Sequence, residues 1–319
     1  MVEALRNMVR GKTRIIAIII VATIAIMLTM YLFTRPPTQN VSLGVEFNAH
    51  ATPFFVLFDE KSFEGSNINV TKILLFRTGM ELAAGVARGD VVAGQACLGP
   101  IIMMVDKGIP VKIIGKVHDG GFALVVNPNV VKGLMDLNGQ VIYTPGPGTQ
   151  AYFLALKIQE KYNISFSEVK SLPPQEVLAG LIGGSITAAI LPKPYPEVAE
   201  SRGLKILLEG VEVWPDMPGS YVFVTPEYLE KNPYVVKQIA KLVESEVHKL
   251  TADPSYAAVS VARWLGVGED VAIKAIRSIR WDTELDVQQI QEYIDFLYSK
   301  GVIRERYNAS SLVVRVQDT

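Results

Sequence analysis

The chain has 319 residues, 49% of them hydrophobic and 20% charged, with a formal net charge of −1. That length and apolar content suffice for two ordinary domains with packed cores and exclude a disordered chain. The charge balance argues against nucleic acid as a partner, and a single cysteine, Cys97, excludes an internal disulfide and a cysteine-based metal cluster.

The first predicted element is an apolar span, 15–33 (IIAIIIVATIAIMLTMYLF), without a charged residue. At ~1.5 Å rise per residue it nearly matches the ~30 Å hydrocarbon core of a bilayer. Arg6, Arg10, Lys12 and Arg14 precede it. Positive charge stays on the cytoplasmic side, so residues 1–14 are expected inside and the remainder outside. No small-residue cleavage site follows in LTMYLFTRPPTQN, which favours an uncleaved anchor over a removed signal segment. A lipid anchor on cysteine is excluded, because Cys97 lies far downstream. The expected location is the outer face of the cytoplasmic membrane, or the medium if the segment is cleaved. Residues 34–40 form a linker stiffened by Pro36 and Pro37. The first 34 residues hold four basic residues and Glu3, so about −4 of formal charge remains beyond them. Asn40, Asn69, Asn163 and Asn308 each open an N-x-[ST] triplet, at most a marker of surface.

The exported portion carries an internal repeat. GMELAAGVARGDVVAG (79–94) aligns with PQEVLAGLIGGSITAA (174–189) at a fixed offset, matching Glu81, Ala84, Gly85, Gly89 and Ala93 to Glu176, Ala179, Gly180, Gly184 and Ala188. Each copy continues to a strand-like run, PVKIIG or LKILLEG. Each also begins alike: VSLGVEF (41–47) and QVIYT (140–144) lead through the loops NAHATP and PGPGTQ into the helical patterns FFVLFDEKSF and AYFLALKIQEKY. Strands alternating with helices predict an α/β architecture, two mainly parallel sheets flanked by helices. GGFALVV (120–126) leaves the first lobe and GSYVFVT (219–225) returns to it, so two strand-like crossings form a hinge. Lobe I is expected over 41–122 plus 221–319 and lobe II over 123–220. The last third is helical, with Asp253 and Pro254 at a helix start and Gly266 and Gly301 at helix stops, and reads as packing material.

TPGPGTQ (144–150) stands where an open α/β sheet binds ligands, beyond the carboxyl end of a strand. The first turn of a helix has backbone N–H groups without helical partners. Gly146 and Gly148 let that backbone approach a ligand, while Thr149 caps the helix and offers a hydroxyl. The loop is thus either a binding surface for an anion or polar oxygen, or a tight turn only. NAHATP and CLGP occupy equivalent places in the first lobe. No metalloprotease, nucleophile-elbow or Walker motif is present. Of three histidines, His248 reads as a surface residue, while His50 and His118 each follow a predicted strand and are candidates for lining a cleft.

GMELAAGVARGDVVAGQACLGP, DLNGQVIYTPGPGTQAYFLAL, ILPKPYPEVAESRG and the tail DPSYAAVSVARWLGVGEDVAIKAI, in this order and spacing, carry a resemblance over 40–303. The chain resembles the solute-binding proteins of ABC importers, in the branch handling nitrate, sulfonates, taurine, bicarbonate and thiamine pyrimidine precursors. The resemblance implies a two-lobed periplasmic-binding-protein-like type II fold, here preceded by one transmembrane helix. It also implies closure on a small anionic or polar solute and delivery to a permease driven by an ATPase, with no enzyme activity, cofactor or resident metal. By position it assigns Asn48, His50 and Thr52 after the first strand, Thr78 after the second, and Cys97 and Gly99 at the third helix entrance. Lobe II supplies Thr144, Gly148, Thr149 and Gln150, then Lys193 and Tyr195; His118 completes the set. The lipid-anchor cysteine usual in bacterial members is missing, and the apolar span stands in its place. Enzymes of pyrimidine synthesis and the menaquinone pathway share the fold and are the rival reading. The former use a cysteine-rich motif that Cys97 alone cannot make. A sensor ectodomain is disfavoured by the short inner segment.

Overall fold

The computed structural model describes Met1, residues 19–27, Met30, and residues 39–66 and 68–316. It divides into two compact units, Met1–Thr38 and Gln39–Thr319. In the first, residues 19–27 are helical and exposed. The rest of the predicted span (15–18, 28–29 and 31–33) lies outside the described residues, as do 2–14 and 34–38. Among the described residues no helix is long and apolar enough to cross a membrane.

The second unit contains both sheets. Its first half runs β1 (Gln39–Glu46), α1 (Thr52–Asp59), β2 (Ile68–Phe76), α2 (Gly79–Ala87), β3 (Ala93–Cys97), α3 (Leu98–Asp106), β4 (Lys112–Asp119) and β5 (Phe122–Val126). Then follow β6 (Val141–Thr144), α4 (Gln150–Tyr162), β7 (Glu168–Ser171), α5 (Pro174–Ile182), β8 (Ala188–Pro192), α6 (Tyr195–Ser201), β9 (Lys205–Glu209), α7 (Gly210–Val213) and β10 (Pro218–Val224). The remainder is α8 (Pro226–Lys231), α9 (Pro233–Ala252), α10 (Ala258–Leu265), α11 (Glu269–Arg277), β11 (Arg280–Trp281), α12 (Val287–Ser299) and α13 (Ala309–Leu312).

One sheet has the order β11-β4-β10-β3-β1-β2, the other β7-β6-β8-β5-β9. β1 pairs in parallel with β2 and β3, and β6 with β7 and β8. The two crossing strands are the exceptions. β10 lies antiparallel between β3 and β4, and β5 antiparallel between β8 and β9. Both sheets therefore repeat one plan, three parallel strands, a reversed crossing strand and a fourth parallel strand, in register with the repeat in the sequence. Apart from the short edge piece β11, this is the mainly parallel α/β arrangement expected. At the centre of the first sheet, a Cβ on Gly94 would stand 1.8 Å from the Gly44 carbonyl oxygen, so β1 and β3 approach closely only with glycine there.

Strands buried on both faces need helices on both faces. Phe54, Phe55 and Leu57 of α1 join Ile239, Val243 and Val247 of α9 and Ile276 of α11 on one side of the first sheet. Leu82 of α2, Ile101 and Ile102 of α3, and Ile290, Tyr293 and Leu297 of α12 cover the other. Leu154 and Ile158 of α4 and Val177 and Leu181 of α5 cover opposite faces of the second sheet. α12 does more than fill space. Tyr293 stacks on Trp214 at 5.7 Å and meets Phe153 of α4 edge-on at 5.7 Å, which ties the first sheet's layers to the second's.

Candidate functional site

The cleft lies between the carboxyl ends of the two sets of parallel strands. From the first sheet it takes Glu46 and Asn48 after β1, Arg77, Thr78 and Gly79 at the β2–α2 junction, and Cys97 and Pro100 at the β3–α3 junction. Facing them are Pro145, Thr149 and Gln150 before and within α4, Pro174 of α5, Pro192 of β8, and Phe122 of β5. Four helix N-termini, those of α2, α3, α4 and α5, thus open on one space. Each directs the positive end of its dipole there, although α5 starts on Pro173 and Pro174, which carry no N–H. Thr78 caps α2 by accepting from Glu81 N, and Thr149 caps α4 by accepting from Tyr152 N. α3 has no side-chain cap. The Gly99 N–H of its first turn instead donates across the cleft to Gln150 Oε1 at 3.1 Å. The enclosed space is about 20 Å³, so the walls are closed on one another with room for about one water molecule.

Several hydrogen bonds hold this closure. Ala49 N donates to Lys193 O at 2.8 Å, and Tyr195 Oη donates to Phe47 O at 3.1 Å. Arg77 faces Glu176 at 3.6 Å on the rim, and Gln150 Nε2 ties α4 to the crossing strand β10 by donating to Gly219 O at 2.7 Å.

A buried polar cluster backs the first-sheet wall. Asn48 accepts from His50 N, and Thr52 Oγ1 donates to Ala49 O at 2.6 Å, which locks the turn after β1 and turns His50 inward. His50 Nε2 lies 2.7 Å from Gly121 O and Nδ1 lies 3.2 Å from Cys97 Sγ; Cys97 Sγ lies 2.9 Å from Glu46 Oε2. A carbonyl only accepts, so Nε2 carries the ring hydrogen and Nδ1 presents a lone pair to the sulfur. Burial pushes the Glu46 carboxyl up, against hydrogen bonds from Cys97 and Asn48 that hold it down. Burial, then the Glu46 carboxylate, pushes the Cys97 thiol well up. Burial holds His50 well below the imidazole range, and His118 beside it is lowered to about 3, chiefly by burial. Both imidazoles are neutral near pH 7.

Of the residues singled out in the sequence, Asn48, Thr78, Cys97, Thr149 and Gln150 line the cleft. Gly99 bridges it through its N–H, and Tyr195 through its hydroxyl. His50 stands directly behind Cys97, and His118 behind His50, ring centroids 4.4 Å apart. Thr52 and Thr144 are buried and occupied by their own backbone, Thr144 Oγ1 accepting from Gly146 N. Gly148 (φ +89°) faces an outer groove with Met80 and Met103. Lys193 is fully buried between Glu197 and Glu209. Sequence reasoning passed over Glu46, Arg77 and Phe122. The signal for the first two was present, since each ends or directly follows a strand of the parallel set. Phe122 sits on a crossing strand, whose start the hinge reading did not treat as a wall.

The family model described as the NMT1-like family matches residues 34–265. The taurine-binding periplasmic protein of Escherichia coli (strain K12) is 25% identical over 225 residues, 68% of either chain. Among solved structures, the alkanesulfonate-binding protein SsuA from Xanthomonas axonopodis pv. citri superposes with a TM-score of 0.77 at 16% identity, covering 88% of this chain and all of that one. The periplasmic nitrate-binding protein NrtA from Synechocystis PCC 6803 gives 0.73 at 13% identity, covering 89% and 86%. These likenesses place the fold among the two-lobed periplasmic binding proteins. With the family model matching well over half of its length, the chain belongs to the NMT1-like family.

Proposed function

We propose that the chain is the extracytoplasmic solute-binding component of an ABC importer. It captures a small anionic or polar solute between two lobes and hands it to a permease driven by an ATPase. The observation that carries this reading is the convergence of four helix N-termini on one interlobe cleft. Helix dipoles arranged in this way suit the oxygens of a sulfonate, a nitrate or bicarbonate. Arg77 on the rim adds a cation beside Thr78. The likeness to a taurine-binding periplasmic protein supports the solute class, and the binding proteins among the relatives support transport over enzymatic chemistry on the same fold. Residues 41–122 with 221–319 act as one lobe and 123–220 as the other, hinged at the crossing strands β5 and β10. The span 15–33 anchors the chain to the outer face of the membrane.

The test is thermal unfolding of the purified chain against taurine, aliphatic sulfonates, nitrate, bicarbonate and pyrimidine precursors. A true solute at a hundred times its dissociation constant adds ~2.7 kcal/mol of stability. No shift with any of them, together with turnover of a pyrimidine or menaquinone precursor, overturns the importer reading in favour of an enzyme.

A further inference from the structure

We propose that Glu46, His50 and Cys97 form a binding site for one divalent transition-metal ion of the zinc class, set into the wall of the cleft. The inference stands on the geometry of this cluster and holds whether or not the importer reading does.

The three residues come from two adjacent parallel strands. Glu46 ends β1, His50 sits in the turn that follows, and Cys97 ends β3. One ligand atom from each lies within 4.8 Å of the other two, and all three residues are buried. The His50 ring hydrogen is committed to Gly121 O and the thiol hydrogen to Glu46, so Nδ1 and Sγ face each other with lone pairs and no hydrogen between them. Three electron-pair donors of three kinds, buried together within 4.8 Å of one another, make a cation site.

The support behind the ligands fits as well. An imidazole that binds a metal through one nitrogen usually donates its other N–H to a carbonyl or carboxylate, which fixes the ring. Gly121 O supplies that acceptor at 2.7 Å. A Cβ on Gly121 (φ +86°) would lie 2.5 Å from His50 Nε2, so only glycine leaves the ring its place. His118, fully buried, packs against the far side of the His50 ring and helps to hold it in place.

Ligand type selects the ion. Sulfur and imidazole nitrogen disfavour magnesium and calcium and suit zinc and its neighbours. With Zn–S near 2.3 Å and Zn–N near 2.0 Å at tetrahedral angles, ligand atoms stand roughly 3.5 Å apart. The observed 3.2 Å and 2.9 Å separations need widening by roughly 0.3–0.6 Å, and the His50–Glu46 pair, within 4.8 Å, has to settle to a similar spacing. On binding, the metal replaces the thiol proton, which leaves to water. Three protein ligands leave a fourth position open. Glu46 and Cys97 also line the cleft, so the site adjoins it.

The experiment uses untagged full chain, stripped with a chelator and titrated with Co²⁺ and then Zn²⁺. One Co²⁺ per chain is expected, with a near-ultraviolet thiolate-to-cobalt charge-transfer band that equimolar Zn²⁺ abolishes. Cys97 is the only cysteine, so the band reports this site without a variant. X-ray absorption at the zinc edge should find one sulfur at about 2.3 Å among nitrogen and oxygen neighbours. Cys97→Ala should weaken Zn²⁺ binding about tenfold or more. Should that variant not fold, the two wild-type spectra decide. Cobalt bound without the thiolate band, zinc without a sulfur neighbour, or a folded Cys97→Ala with unchanged affinity overturns the proposal. Solute-induced thermal shifts measured on the stripped protein report the importer reading separately, so either can fail alone.

Discussion

Lys193 shows how a single residue is committed by its surroundings. Its ammonium is fully buried, 2.5 Å from Glu197 and 2.9 Å from Glu209, and its carbonyl receives Ala49 N. Burial pushes the Glu197 carboxyl up while Lys193 pulls it down. Removing the cation would leave Glu197, itself buried, without its counter-charge. Lys193→Met is expected to cost ~3–5 kcal/mol, and adding Glu197→Gln should recover much of it. Denaturant unfolding of the single and double variants measures both. A single variant as stable as the parent but unable to bind solute would instead assign Lys193 to the solute.

At the scale of the element, the loop before α4 shows why a helix entrance contains two prolines and two glycines. Thr149 accepts from Tyr152 N at 3.4 Å and donates to Gly146 O at 2.7 Å, so one hydroxyl both caps the helix and closes the turn. Gly146 and Gly148 carry φ of +129° and +89°, which bend the chain back from β6 and set Thr149 and Gln150 in the cleft. Thr149→Ala should cost ~1 kcal/mol through the lost cap, and Thr149→Ser should restore most of it. Thermal unfolding of the three chains checks this. Equal stability of all three would mean that the hydroxyl does not cap the helix.

For the whole molecule, closure rests on a few polar bonds and one aromatic cluster. Tyr195 Oη accepts from Gln175 and donates to Phe47 O, a contact between the sheets that a phenyl ring cannot make. Tyr195→Phe removes ~0.5–1.5 kcal/mol from the closed state and should raise the radius of gyration in solution scattering. Solute affinity should fall about tenfold or less. The packing of Tyr293, Trp214 and Phe153 remains, so the chain stays folded. Unchanged scattering and affinity would remove Tyr195 from the closure.

The sequence by itself determined the order of strands and helices, the repeat and the two crossing segments. Each rests on local period, glycine stops and turn chemistry, which a linear reading carries. It also pointed to Asn48, Thr78, Cys97, Thr149 and Gln150, which line the cleft, because clefts in such sheets open at strand ends, and strand ends are local features. Tertiary structure alone decided which side chain faces the cleft and which faces its own lobe. Lys193 and Thr52 follow strands just as Asn48 does, yet their partners are neighbours of their own lobe, Glu197 and Glu209 for one and the Ala49 carbonyl for the other. The meeting of Glu46, His50 and Cys97 was likewise out of reach, since Cys97 is 51 residues from Glu46 and only the parallel pairing of β1 with β3 brings their ends together. The bridging by α12 had no local signal at all. An apolar helical stripe looks the same whether it covers one sheet or joins two, because what it packs against is set by the fold and not by its own period.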